Sequence, residues 1–173
     1  MFRLIAIFLI LSSCLLAQSP VFDKDFRKDW ETSREFTLAV ADAMPAEKYG
    51  FKASDEEMPF ATLMIHIATS NAFRFAQLAG KPNPIKVSGT IPKDQAKEIA
   101  KKLLADSFDF CIAQLDQFTP AQMDKLYKVD WYQRPEVTGR QLVLAMFVHT
   151  AHHRGQAEVY LRANGIKPPD YRF

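Results

Sequence analysis

Three of the four histidines fall within five positions, in the stretch HTAHHRGQ at residues 149–156. His149 and His153 are four residues apart, so on a helix turning about 100° per residue they stand one turn apart on one face. This is the spacing by which a helix offers two imidazole nitrogens to a single transition metal. Leu142, Ala145, Met146, Gln156 and Tyr160 share that face, which turns it toward an interior where imidazoles without partners are costly. The fourth histidine, His66, lies in LMIHIATSNAF beside Leu63, Met64 and Ile67. Its helical face also turns inward, which makes it the third ligand. Three neutral imidazoles with a position left open describe a catalytic-type zinc site, and nickel, iron or manganese would fit the same donors. The plainer alternative is a set of hydrogen-bonded core histidines. His152 points about 100° away from His153, so it does not share the same point in space. A surface position, a hydrogen-bond partner of the ligands and a proton shuttle remain open for it.

Four long helices must position these residues. The first is expected over about Val21–Met44, where Phe22, Phe26, Trp30, Ser33, Thr37 and Val40 recur every three or four residues. Pro45 ends it. The second is expected over about Pro59–Ala79, with Ser54 and Glu57 at capping-box spacing, Pro59 as a competing start and Gly80 as the stop. The third opens near GTIPKDQ with Thr90 or a neighbour as cap and Pro92 in the first turn. Ala96, Ile99, Ala100, Leu103, Ser107, Phe108, Cys111 and Leu115 form its stripe. TPAQM starts a short helical turn, and KVDWYQRPEV is an aromatic-rich loop. The fourth runs from VTGRQL, where Thr138 and Gln141 have capping-box spacing, to LRANG with Gly165 at the left-handed stop. No stretch keeps a period-two alternation between hairpin turns. The expected class is therefore all-α, a four-helix bundle formed by residues 21–173 as one domain.

The start, MFRLIAIFLILSSCLLAQSP, has Arg3 ahead of an apolar run from Leu4 to Leu16 and a small residue, Ala17, at a cleavage position. That run is about 13 residues, short against the roughly 20 a bilayer span needs. Residues 1–17 therefore read as a signal peptide. Two processing routes stay open: cleavage after Ala17, or use of LSSC as a lipobox that leaves Cys14 as a lipid anchor. Either exports the protein, to the periplasm or outside the cell. The formal charge is +2, and loss of Arg3 with the signal lowers it further. No polycation for nucleic acid remains. Cys111 is then the lone cysteine, at an apolar helical position typical of a small core residue.

The string HTAHHRGQAEVYLRANGIKPP at residues 149–169 resembles the histidine motif of the DinB/YfiT-like family: His-x-x-His-His-Arg-Gly-Gln, an apolar stretch, Leu-Arg and a Gly-x-x-Pro-Pro ending. AMPAEKYGFKASDEEMPFATLMIHIATSNAF is similar to the family's segment carrying the first histidine, and the resemblance runs from about Val21 to the end. It implies a DinB-like four-helix bundle, often a homodimer, that holds a divalent metal through His66, His149 and His153. It also implies thiol-linked chemistry for some members, either transfer of a low-molecular-weight thiol or thiol-dependent isomerisation, while the small-molecule substrate stays unspecified. An oxidising compartment holds little reduced thiol, so export weighs against thiol transfer.

Few helpers surround the three histidines in the sequence. Asn71 could orient a substrate, Trp131 and Tyr132 could wall the open face, and Tyr160 lies two turns from His153. Packing is the plainer role for each. Arg154 and Gln156 read as residues that fix the helix or support the ligands. Gly155 costs about 1 kcal/mol against Ala in a helix, which suggests close approach of a neighbouring helix or a dimer partner. The expected function is an exported metal-dependent enzyme, hydrolase-type or thiol S-transferase-type. The alternative is a non-catalytic metal-binding or interaction module.

Overall fold

The computed structural model describes residues 24–130 and 134–173. The expected signal peptide over 1–17, the expected lipobox at Cys14 and the loop residues Trp131 and Tyr132 lie outside these. Four helices dominate: α1 (Lys24–Ala43), α2 (Phe60–Ala79), α3 (Ala96–Leu115) and α5 (Gly139–Ala163), with a five-residue α4 (Pro120–Asp124). α2 packs on α3 and α5, and α1 packs on the same two helices from the opposite corner. The result is the expected all-α bundle. Among the described residues no helix is long and apolar enough to cross a membrane.

The stripes seen in the sequence meet at Trp30, which is fully buried. Its ring lies 5.1 Å from Phe75 of α2, 6.0 Å from Phe108 of α3 and 5.6 Å from Phe147 of α5, all edge-on. One aromatic from each of the other three helices thus converges on α1. Each such pair contributes about 0.5–1.5 kcal/mol beyond area burial.

Apolar stripes let helices slide, and two buried polar clusters fix the register of α5. Asn71 of α2 donates from Nδ2 to Thr150 Oγ1 at 2.9 Å, and the Thr150 hydroxyl donates back to Asn71 Oδ1 at 3.2 Å. On the other side Arg154 donates from Nη1 to Ser33 Oγ at 3.0 Å and Thr37 Oγ1 at 3.4 Å, with its guanidinium 4.5 Å from the Phe36 ring centre. Buried hydrogen-bonding groups have few registers in which all are satisfied. Together they hold α5 in one register between α1 and α2.

Several local expectations need correction. Ser54 and Glu57 do not cap α2. Pro59 stands at the N-cap without a side-chain bond, and Glu57 N–H instead donates to the Ser54 carbonyl in a turn. Proline has no N–H to satisfy and its fixed φ suits a helix start, so it takes the boundary. Thr90 does not cap α3, which enters through a 3₁₀ turn, Lys93–Gln95, behind Pro92. The aromatic-rich loop is flanked by two strands, β1 (Leu126–Lys128) and β2 (Glu136–Thr138), paired antiparallel. Three residues per strand are too few to leave a period-two signal. Thr138 and Gln141 do form the capping box of α5, with Thr138 N–H to Gln141 Oε1 at 3.0 Å and Gln141 N–H to Thr138 Oγ1 at 3.3 Å.

Two glycines of α5 differ sharply. A Cβ on Gly139 would lie 2.6 Å from the Gln122 carbonyl and 2.9 Å from Met123 Cα, so only glycine lets α5 start against α4. A Cβ on Gly155 would meet nothing within 4 Å. The close approach suggested for Gly155 therefore does not come from a neighbouring helix among the described residues.

Candidate metal centre

His66 lies in the second turn of α2 and His149 and His153 in the middle of α5, where the two helices run antiparallel. With α5 in register, the three rings face one another. His66 Nε2 is 3.1 Å from His149 Nε2, and His153 Nε2 is 3.0 Å from His149 Nε2. The rings are half-buried rather than deep, and form the rim between α2 and α5. The deepest side of α5 is instead the one carrying Met146, Thr150, Arg154, Ala157 and Leu161.

Three nitrogens of one kind at this spacing fit a metal. With bonds of about 2.0–2.1 Å, two ligand nitrogens stand about 3.4 Å apart at a tetrahedral angle and about 3 Å apart at a right angle. The observed spacings fall in that range. Without an ion, facing Nε2 lone pairs repel unless one carries a proton. His153 settles its own tautomer, because Nδ1 lies 2.7 Å from the Gln156 amide oxygen. That oxygen only accepts, so the proton sits on Nδ1 and the Nε2 lone pair points at the cluster. His149 Nδ1 is buried with no hydrogen-bond partner among the described residues.

The electrostatics favour neutral imidazoles, the form that can bind a metal. Burial pushes the His149 pKa down to about 4, helped by the neighbouring His153, His66 and His152. Burial also lowers those of His66 and His153, the latter opposed by its bond to Gln156 and by the charge of Glu57. All three are therefore unprotonated near neutral pH. Among the described residues they are the one group of three donors within 4.8 Å of one another.

His152 stays outside this cluster. It is exposed and touches His153 by ring contact alone, 4.9 Å between centroids. Asn71 does not face a substrate, since both ends of its amide are engaged with Thr150. Gln156 holds the His153 ring and Arg154 fixes the helix. Tyr160 does more than pack: its hydroxyl donates to the Met58 carbonyl at 2.9 Å and lies 3.3 Å from Glu57 Oε2. Glu57 is the neighbour that sequence reasoning missed. Its spacing to Ser54 suggested a cap, and no local pattern ties residue 57 to residue 160. A cavity of about 910 Å³ opens beside the first turns of α2, lined by Tyr49, Pro59, Thr62, Ile65, Val87 and Ile91 among others, and none of the three histidines lines it. The donor convergence, not this cavity, marks the candidate site.

Comparison with known proteins agrees with the fold. The sequence matches the DinB superfamily over residues 29–157. It is 28% identical over 134 residues to the uncharacterized protein YjoA of Bacillus subtilis (strain 168), covering 76% of this chain and 84% of that one. The crystal structure of the DinB-like YjoA superposes with a TM-score of 0.67 at 24% identity, covering 86% of this chain and 98% of that one. A DinB-like protein from Bacillus cereus ATCC 10987 gives 0.65 at 17% identity, covering 85% and 95%. A conserved protein from Enterococcus faecalis gives 0.61 at 17%, covering 79% and 92%. Histidines converging between the second and last helices of such a bundle, and a sequence match spanning most of the chain, lead to one assignment: the protein belongs to the DinB superfamily.

Proposed function

We propose that this protein is an exported, metal-dependent enzyme that holds one divalent transition metal through His66, His149 and His153. Zinc is the first choice for three imidazoles, with nickel, iron or manganese as alternatives. The observation that carries the reading is the convergence of three Nε2 atoms at 3.0–3.1 Å contacts. A dication there would supply a Lewis acid that polarises an oxygen or sulfur donor on the open side. The chain's own part is orientation. Gln156 holds the His153 ring, the Asn71–Thr150 pair holds α5 to α2, and burial keeps the imidazoles neutral. Such a centre suits hydrolysis or thiol S-transfer, and export through residues 1–17 favours the hydrolytic form.

The second reading is a non-catalytic metal-binding or interaction module. The 910 Å³ cavity, which none of the three histidines lines, speaks for it. Metal content of the purified protein by mass spectrometry, beside His66→Ala, tests the site. About one metal per chain, lost in the variant, is expected; no uptake even after reconstitution overturns it. Adding azide or a thiol to cobalt-loaded protein then separates the readings. A changed visible spectrum shows an open position, and an unchanged one favours the module.

A homodimer, the other expectation from the family, would form on the exposed side of α5. Leu144, Val148 and Val159 are 54%, 58% and 56% exposed there, with Ala151 and Gly155 between them. Two antiparallel copies centred at Ala151 and His152 would set Val148 against Gly155 and Leu144 against Val159. Val148 would then pack over Gly155, which gives the glycine the close neighbour it lacks within one chain, and Leu144 would bury apolar surface against Val159.

A further inference from the structure

Arg154 is 5% exposed, and no carboxylate among the described residues meets its guanidinium at ion-pair distance. Glu158, one turn further along α5, pairs with Arg162 at 3.7 Å instead. A buried cation without a counter-ion is costly unless neutral groups take the place of water. Helix α1 supplies the hydroxyls of Ser33 and Thr37 and the ring of Phe36. The remaining cover comes from residues 166–173. After the left-handed turn at Gly165 this segment runs without regular structure, with Ile166 packed on the core and Pro168 buried. Tyr171 lies edge-on to Phe36 at 6.1 Å, and Arg172 donates from Nη1 to Glu35 Oε2 at 3.3 Å. The Phe173 ring centre stands 5.4 Å from the Arg154 guanidinium and 6.0 Å from Phe147. The segment therefore bridges α1 and α5 directly over the arginine. Residues 171–173 are lightly held. Tyr171 and Phe173 are 75% and 45% exposed, and the exposed Arg172–Glu35 pair adds little. Such a segment opens at low cost.

Resting on the metal centre proposed for His66, His149 and His153, we propose that residues 166–173 form a strap whose Phe173 shields Arg154 from water, and that strap closure and metal binding favour each other. The link is α5 itself. Arg154 follows His153 directly in the chain, and its bonds to Ser33 and Thr37 hold that turn of the helix against α1. With the strap open, water competes for the guanidinium and those bonds weaken. The turn carrying His149 and His153 is then freer to shift against His66 on α2. A metal that fixes the three rings restores the register and with it the closed strap, because coupling between two equilibria is reciprocal.

The test compares the full chain with Phe173→Ala and the ring-keeping Phe173→Tyr. Phenylglyoxal, which modifies arginines that solvent reaches, is followed at Arg154 by peptide mass spectrometry, with the exposed Arg140 as internal reference. Zinc affinity is read by competition with a chromophoric chelator. Loss of one ring contact should speed modification of Arg154 in Phe173→Ala by up to about tenfold, and zinc should bind several-fold more weakly. Added zinc should slow the modification again, and Phe173→Tyr should match the wild type in both measurements. A merely structural role for Phe173 would lower the melting temperature of the metal-free protein and leave the zinc affinity of the folded chain unchanged. Arg154 reacting no faster in Phe173→Ala overturns the strap. Faster reaction beside an unchanged zinc affinity, or a reaction that zinc does not slow, overturns the coupling. A wild type that takes up no zinc overturns the metal centre and the coupling with it, while the phenylglyoxal comparison still decides the strap.

Discussion

The pair formed by Asn71 and Thr150 is the contact on which the site's register should depend. Both residues are fully buried and exchange two hydrogen bonds, at 2.9 and 3.2 Å. Asn71→Ala removes both bonds and leaves the Thr150 hydroxyl buried without a partner, which costs about 1–3 kcal/mol. The vacated volume adds about 1 kcal/mol. The expected destabilisation is about 3 kcal/mol, and at about 2–4 °C per kcal/mol for a domain of this size the melting temperature should fall by about 6–12 °C. Thr150→Val should cost about 2 kcal/mol, because it strands the amide. The double variant Asn71→Ala, Thr150→Val strands neither polar group, so its cost should be less than the sum of the single changes by about 1–2 kcal/mol. Urea unfolding followed by circular dichroism on the metal-free proteins gives the three stabilities. Zinc competition on the folded proteins gives the effect on the site, where the single variants should bind several-fold more weakly. Strict additivity would refute the coupling. Zinc affinity unchanged in a destabilised Asn71→Ala would refute the idea that this pair aligns His149 and His153 with His66.

Three other outcomes are expected. The metal-free protein should lose stability as pH falls below about 6.5, the ordinary histidine value, because the unfolded chain takes up protons that the buried His149 refuses until about pH 4. Thermal melts between pH 7.5 and 4 check this, and a flat profile would contradict the neutral cluster. Gly139→Ala forces a methyl against α4 backbone and should destabilise by about 1–3 kcal/mol, read by the same urea titration. Gly155→Ala gains about 1 kcal/mol of helix propensity in a free chain, but should weaken self-association together with Val148→Asp if α5 pairs with itself. Sedimentation velocity on both variants and the wild type decides it, and unchanged sedimentation in Val148→Asp removes the α5 face as the interface.

Sequence alone reached the bundle and singled out the three histidines that the structure brings together. Helix faces follow from a fixed period, so the i, i+4 pair His149 and His153 and the stripe through Trp30 could be read directly. Capping at Thr138 and the stop at Gly165, with φ of 73°, are likewise local chemistry. What the period could not show is how far each face is buried. The histidines occupy a rim and Arg154 the interior, because Ser33 and Thr37 of α1 stand opposite the arginine. Nor could spacing choose between Ser54, Glu57 and Pro59 at the head of α2, or show that Glu57 meets Tyr160 across 103 residues. The division has a physical reason. Periodicity, caps and stops depend on neighbours along the chain, whereas register, depth and the company of a charge depend on which helices meet, and that is set by packing of the whole bundle.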